Sequence, residues 1–216
     1  MPQITDIKPQ KRPGRFNIYL NGKYAFAVSA ESFVKANLNI NQEISSDTVE
    51  KLIKDDEFGK TFDNSLKFIS FRPRSEKELQ NWFKRKEVGE ETQKLVIKKL
   101  KHLGFLNDEE FAKWWIEQRT TFHPSGQRLI KMELKQKGIS DEIIEGIMNN
   151  ESRIMGEKEL AKKVLEKKLP RLKNYKRQEL RKKLQNLLAQ RGFSWEVIKE
   201  LVDTLVKKPD NEIDGE

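Results

Sequence analysis

Few side chains in this chain of 216 residues have the types and spacing that catalysis requires. The chain contains two histidines, His102 and His123, and no cysteine. It has no His-x-x-x-His pair, glycine-rich phosphate loop or nucleophile motif. The lack of cysteine excludes disulfides, thiolate zinc sites and thiol catalysis. We therefore expect neither an enzyme nor a bound metal ion or cofactor.

The chemistry that the sequence favours is the binding of an anionic partner. The net charge is +9, and residues 156–192 account for all of it, with 13 Lys and Arg against 4 Glu. Such a density of cations suits DNA phosphates or an acidic protein surface, although a basic helical run is also typical of a solvated face. The candidate contacts here are Lys162, Lys163, Lys167, Lys168, Arg171, Lys173, Lys176, Arg177, Arg181, Lys182 and Lys183.

These basic residues lie in a repeated pattern. The apolar residues Val88, Ile139 and Phe193 are 51 and 54 residues apart, and Glu or Gly precedes each of them. A period of this length predicts repeated helical modules, which contact mainly their neighbours and stack into an extended, often curved body. We expect a mainly α fold of tandem three-helix repeats forming an elongated, curved body. Gly138 and Gly192 are expected to shape turns between helices rather than to form a site.

The first 45 residues depart from the repeat and predict a small β-rich N-terminal module. Asn21-Gly22 between two alternating apolar runs is a strong hairpin signal. Ser29 is expected to cap a short helix, and residues 38–44 to add a third strand. The cations before the hairpin are candidates for an acidic partner or for simple solvation: Lys8, Lys11, Arg12 and Arg15.

Helix signals organise the rest of the chain. A helical pattern begins at Ser46, with an interruption expected near Gly59, and Pro73 ends it. Ser75 and Glu78 form a capping box that starts the next helix. We expect a hairpin module over residues 1–45, a linking helix and first repeat over 46–105, a second repeat over 106–150, a third, basic repeat over 151–207, and an acidic flexible tail over 208–216.

Four blocks in this order resemble the RecX regulatory proteins. They are Phe-Arg-Pro-Arg-Ser-Glu-Lys-Glu-Leu at residues 71–79, Gly-Phe-Leu-Asn-Asp-Glu-Glu-Phe-Ala at 104–112, Lys-Gln-Lys-Gly-Ile at 135–139 and Arg-Gly-Phe-Ser at 191–194. The resemblance covers roughly residues 60–206, and the Gly-Phe-Leu-Asn-Asp block is its most specific part. The β-rich module looks like the extension that some members carry.

The resemblance implies a non-enzymatic regulator, usually an inhibitor, of the RecA recombinase. Such a protein would bind the groove of the RecA–DNA filament and alter ATP hydrolysis, strand exchange or filament growth during DNA repair, homologous recombination and the SOS response. Its partners would be RecA and single- or double-stranded DNA, and it would need no cofactor. The alternative is a sequence-independent DNA-binding helical repeat protein that acts without RecA.

The resemblance also adds four candidate binding residues. Arg72 and Arg74 match a basic pair before the capping box, where they either contact a partner or brace the turn between helices. Arg119 and Arg128 match basic positions that flank the first loop of the second repeat. No apolar run reaches the length of a membrane span, and we expect a cytoplasmic protein, as a monomer.

Overall fold

The computed structural model describes residues 1–11, 13–148, 156–172 and 175–207. Arg12, Lys173 and the acidic tail expected at residues 208–216 lie outside the described residues. The described chain is mainly helical, with one small antiparallel sheet at its start and three-helix groups in tandem after it, as predicted. It divides into two compact units, Met1–Arg72 with Leu79–Leu106, and Pro73–Glu78 with the described residues from Asn107 onward.

Three antiparallel strands form the N-terminal sheet in the order β1-β2-β3. They are β1 Ile4–Pro9, β2 Arg15–Leu20 and β3 Lys23–Ser29. Asn21 and Gly22 join the last two with φ of 48° and 81°, which confirms the predicted hairpin. The third strand was wrongly placed, because it is β1 and not residues 38–44. Asn37 and Asn41 have φ of 47° and 68°, so the backbone turns before and within residues 38–44, and Glu43 forms a single isolated bridge with Gln3 in place of a strand.

The sheet packs on two helices, α1 Ala30–Lys35 and α2 Ser46–Ser70. Ser29 caps α1 as predicted, and its Oγ accepts a hydrogen bond from the Ser32 amide at 3.0 Å. The interruption expected in α2 near Gly59 is absent, and α2 is one helix of 25 residues. Gly59 lies on an open face. Its cost of about 1 kcal/mol relative to Ala is offset by Phe58 and Phe62, which pack against the core.

The buried carboxylate of Asp56 on α2 holds the sheet in place. It accepts two hydrogen bonds from the Arg15 guanidinium, at 3.0 and 2.8 Å, and one from the Ser29 amide at 3.1 Å. Lys60 Nζ lies 2.9 Å from the same carboxylate. Burial raises the pKa of Asp56, but Arg15 and Lys60 outweigh it, so this pKa lies below its ordinary value. Arg15 is thus engaged inside the protein.

Stability at acid pH should depend on Asp56. Because its pKa is lower in the folded protein, the contribution of Asp56 is fully present above the ordinary aspartate pKa and is lost as the pH falls through the lower, folded-state pKa. Asp56→Asn should cost about 3–5 kcal/mol at neutral pH and should flatten the loss of stability below about pH 4. Urea unfolding across this pH range measures both effects. Asp6→Asn, in the exposed Asp6–Lys8 pair, is the control and should change stability little. Equal curves for the two variants would contradict this role.

The first repeat is completed by α3 Glu76–Arg85 and α4 Glu90–His102. Its core holds Leu79, Phe83, Val96, Leu100 and Leu106, with the aromatic residues of α2 packed around it. The linking segment and the first helix of this repeat are therefore a single helix, α2.

The second and third repeats each have three helices. The second consists of α5 Asp108–Thr121, α6 Gln127–Gln136 and α7 Asp141–Met148, and the third of α8 Glu157–Lys168, α9 Arg177–Gln190 and α10 Trp195–Lys207, with a 3₁₀ turn at Leu169–Arg171 after α8. Ile139 and Phe193, the residues that recur after the glycines, are buried in the two cores.

The turn before each recurring apolar residue has a positive φ. It is 54° at Glu87, 85° at Gly138 and 76° at Gly192. At Gly138 a Cβ would lie 2.7 Å from the Cβ of Lys77, and at Gly192 it would lie 2.4 Å from the backbone nitrogen of Leu129. These two glycines are thus required both by backbone conformation and by close packing against the start of another helix.

Replacing Gly138 by Ala should separate these two requirements. The left-handed backbone alone costs an L-residue about 1–2 kcal/mol, and the close contact with Lys77 should add about 1–3 kcal/mol. Gly104 is the matched control, because its φ is 75° and a Cβ there would meet nothing within 4 Å. Chemical denaturation should show a larger loss for Gly138→Ala than for Gly104→Ala. Equal losses would mean that the contact with Lys77 is not tight.

Candidate functional site

The basic residues of the third repeat lie on α8, on the 3₁₀ turn and on α9. Lys162, Lys163, Lys167 and Lys168 are on α8, and Arg171 is in the 3₁₀ turn. Lys176 is the N-cap of α9, and the other four lie within that helix, at Arg177, Arg181, Lys182 and Lys183. Lys173 lies outside the described residues.

Four of these cations make contacts within the repeat. Arg181 pairs with Asp203 of α10 at 2.5 Å, and Arg177 donates a hydrogen bond to the carbonyl oxygen of Val206 at 2.6 Å. A cation at the C-terminal end of a helix is favourable, because the last carbonyl groups carry partial negative charge. Lys183 Nζ lies 4.3 Å from the centre of the Tyr175 ring, a distance at which a cation attracts the face of an aromatic ring.

The fourth, Lys162, is paired along its own helix. Its Nζ donates a hydrogen bond to Glu159 at 2.7 Å, and this contact raises the pKa of Lys162. These four side chains help to hold the repeat together. A partner that bound them would have to compete with these internal contacts.

The other described cations of this cluster make no ion pair with any described residue. Lys163 and Lys167 are exposed and four residues apart, so they share one face of α8. The set, which we call the unpaired cations, is Lys163, Lys167, Lys168, Arg171, Lys176 and Lys182. These six residues of the third repeat can meet an anionic partner without breaking an internal ion pair.

Arg119 lies in a network inside the second repeat. Its Nε donates a hydrogen bond to Glu133 at 2.7 Å, and the same carboxylate oxygen accepts one from the Trp115 indole at 2.9 Å. The Trp115 ring also faces two cations, with Arg119 4.9 Å and Lys137 5.0 Å from its centre. Lys137 in turn binds Glu78 at 2.5 Å. Sequence patterns missed this network, because its members are up to 59 residues apart.

The three remaining arginines differ in exposure. Arg74 is half-buried, with Nη1 3.9 Å from Glu78, which places it beside the network of Lys137. Arg72 is also half-buried, whereas Arg128 is exposed in the first turn of α6. These contacts favour a role for Arg74 in bracing the turn between helices over a role in contacting a partner.

No group of His, Asp and Glu with the arrangement of a metal site occurs among the described residues. The same part of the chain contains no helix that is long and apolar enough to cross a membrane.

Replacing Arg119 by Ala should weaken the fold rather than only a binding surface. The change leaves the Glu133 carboxylate with one hydrogen bond fewer, at a cost of about 1–3 kcal/mol. Arg128→Ala removes an arginine from an exposed position and should change the free energy of unfolding by less than about 0.5 kcal/mol. Urea unfolding of both variants checks this difference. If the Arg119→Ala protein were as stable as the parent, the contact of Arg119 with Glu133 would not stabilise the fold.

Family models match three parts of the chain. The N-terminal domain of regulatory protein RecX matches residues 2–45, the second three-helix domain of RecX matches residues 107–147, and its third three-helix domain matches residues 156–202. The matches fall on the N-terminal sheet and on the second and third repeats.

Whole proteins and solved structures agree with these matches. The regulatory protein RecX of Bacillus subtilis is 34% identical over 217 residues, which cover 100% of this chain and 82% of that protein. A crystal structure of regulatory protein RecX has a TM-score of 0.70 at 28% identity and covers 94% of this chain and 100% of that one. The structure of RecX from Lactobacillus salivarius, at 24% identity and a TM-score of 0.58 over 69% of this chain, shares the fold. The chain therefore belongs to the RecX family of regulatory proteins.

Proposed function

We propose that this protein is a non-enzymatic regulator, usually an inhibitor, of the RecA recombinase. It binds in the groove of the RecA–DNA filament in the cytoplasm and modulates ATP hydrolysis, strand exchange and filament growth. Its membership of a family of regulatory proteins supports this role. The observation that carries the proposal is the set of unpaired cations on α8, the 3₁₀ turn and α9, because a nucleoprotein filament offers phosphates and acidic side chains to such a surface.

The unpaired cations are suited to contacts along a charged polymer. They lie on helices and a helical turn whose apolar faces are buried in the core of the third repeat, so the backbone that carries them is fixed by packing. Each lysine or arginine that neutralises a phosphate releases bound counterions, and the affinity falls as salt rises. Contacts of this kind position a protein on nucleic acid without reading its sequence, which suits a regulator that must act anywhere along a filament.

The same cations also favour a second function, sequence-independent DNA binding without RecA. Salt dependence does not separate the two functions, because a DNA-containing filament shares it. The ratio of protein to DNA does separate them. A DNA-binding protein competes with RecA only when it coats the strand, whereas a regulator of the filament acts at much lower amounts.

The deciding experiment adds this protein to RecA that is hydrolysing ATP on single-stranded DNA, at an amount too small to coat the DNA. We expect the hydrolysis rate to change, with a fall for an inhibitor, and filament length to change in electron micrographs. Unchanged hydrolysis together with unchanged filament length would rule out regulation and would favour the DNA-binding alternative.

Charge reversal tests the surface itself. Changing Lys163, Lys167 and Lys182 to Glu should weaken binding to the filament roughly tenfold or more and should reduce the salt slope by about 3, since up to three phosphate contacts are lost. The matched control changes three exposed lysines of α4 to Glu, namely Lys94, Lys98 and Lys99, and alters the net charge equally. Fluorescence anisotropy over a salt series gives both quantities, and circular dichroism checks helicity. Equal weakening in both variants would place the contact elsewhere.

A further inference from the structure

The first and second repeats align residue by residue with an offset of 51. Three pairs of equivalent residues show this offset: the prolines Pro73 and Pro124, the helix-ending residues Phe71 and Phe122, and the turn residues Glu87 and Gly138. Burial in the first helices follows this register in part. Thr61 and Ser65 are buried where Ala112 and Ile116 are, whereas the buried Phe111 corresponds to the exposed Lys60. Each position in the second repeat therefore has an identifiable counterpart in the first.

In the second repeat, one face binds the first turn of a helix. Asp108 accepts a hydrogen bond from the Glu76 amide at 2.8 Å, and the carbonyl oxygen of Lys137 accepts one from the Ser75 hydroxyl at 2.8 Å. The Lys137 ammonium group binds Glu78, the third residue of the helix. Gly138 lies against Lys77. This face thus recognises the backbone, the capping hydroxyl and the acidic side chain of a helix start.

The third repeat uses its own turn in the same way. The carbonyl oxygen of Arg191 accepts a hydrogen bond from the Gly126 amide at 2.8 Å, just before α6 begins. The Arg191 guanidinium donates one to the carbonyl oxygen of Pro124 at 3.0 Å. Two of the three repeats therefore bind the start of a helix at equivalent turns.

The counterparts of these groups in the first repeat line an open groove. Glu57 corresponds to Asp108, Lys86 to Lys137 and Glu87 to Gly138, and all three border a groove of about 630 Å³. No described residue makes an ion pair with Lys86 or a hydrogen bond to its carbonyl oxygen. Phe71, at the edge of the groove, is 83% exposed. Glu57 Oε1 accepts a hydrogen bond from the Thr92 hydroxyl at 3.1 Å, so its second oxygen, Oε2, is the one available to a donor. The first repeat therefore presents equivalent recognition groups, and no helix start among the described residues binds them.

This groove differs from the face in the second repeat in two respects. Phe68 and Trp82, whose rings stack at 5.2 Å, replace the ion pair of Arg119 and Glu133. Glu87 also adds a side chain where Gly138 has none, so a bound segment must stay farther from the turn. An apolar side chain of a bound segment can fill this space against the aromatic rings, which favours contacts of that kind.

We propose that this groove binds the N-terminal turn of an α-helix in a partner protein. The helix start carries Ser or Thr at its N-cap, Glu or Asp three residues later and an apolar residue before the cap. The hydroxyl donates to the carbonyl oxygen of Lys86, the carboxylate pairs with its ammonium group, and a first-turn amide donates to Glu57. Glu57 and Glu87 also favour the partial positive charge of a helix N-terminus.

The charges of the groove favour a helix start over nucleic acid. Two carboxylates, Glu57 and Glu87, border it beside two ammonium groups, Lys67 and Lys86. This balance gives no net attraction for a run of phosphates. A helix start with an acidic third residue offers both a partial positive charge at its amides and a negative charge at its carboxylate. The inference goes beyond the proposed function, because it concerns a different repeat from the unpaired cations and a protein segment instead of DNA.

A peptide titration tests the proposal without a recombinase. The probe is a synthetic, acetylated peptide with the sequence of residues 71–85, added to the isotopically labelled full-length protein and followed by NMR. We expect saturable shifts at the Trp82 indole and at the amides of Phe71, Lys86 and Glu87, with a Kd of roughly 1 mM or below. Alanine at the peptide positions of Ser75 and Glu78 should weaken binding at least fivefold.

Protein variants localise the effect. Lys86→Glu and Phe71→Ala should each weaken the peptide at least fivefold, whereas Phe122→Ala, at the equivalent exposed position of the second repeat, should leave it unchanged. Absence of saturable shifts, shifts centred on the second repeat, or equal binding to Lys86→Glu would overturn the proposal. Shifts of the same groove amides on adding oligothymidylate would assign the groove to nucleic acid and would also overturn it. None of these outcomes depends on an effect on RecA.

Discussion

The structure depends on the close approach of a helix start to the turn between two other helices. At Gly138 and Gly192 the backbone has a positive φ, and the incoming segment lies where a Cβ would be. A close approach of this kind leaves room for no other residue and exposes the carbonyl groups of Lys137 and Arg191 to donors from the incoming segment. The recurring Lys-Gly-Ile and Arg-Gly-Phe blocks thus serve two purposes, since they end one helix and receive another.

The same constraint determines which charges remain available. Lys137 and Arg119, two cations of the second repeat, are used to hold Glu78, Glu133 and the Trp115 ring. In the third repeat Arg177 and Arg181 hold α10. In the basic cluster of the third repeat, the lysines and arginines that no described residue engages in an ion pair lie on α8, on the 3₁₀ turn and on α9. The family's regulatory role and this surface together support the proposed action on a nucleoprotein filament.

Local signals in the sequence predicted the local features well. Asn21-Gly22 and Ser29 are such signals, and both were placed correctly. Errors arose where distant residues decide the outcome. The third strand of the sheet is β1, near the start of the chain, rather than residues 38–44, because Asn37 and Asn41 turn the backbone there and leave a single bridge between Gln3 and Glu43. Gly59 does not interrupt α2, because the packing of Phe58 and Phe62 outweighs its weak helix propensity. The binding role of Arg119 stays a prediction, and the structure adds an internal contact with Glu133, 14 residues away, that the sequence did not indicate.

A double-mutant cycle on Glu78 and Lys137 tests most directly whether a helix start is held at the Gly138 turn. Both side chains are largely withdrawn from water, at 13% and 30% exposure, so their interaction is only partly screened. Urea unfolding of the parent, Glu78→Gln, Lys137→Met and the double variant gives the coupling energy. A coupling of about 1–3 kcal/mol is expected. A value within about 0.3 kcal/mol of zero would contradict the account, because the two single changes would then act independently.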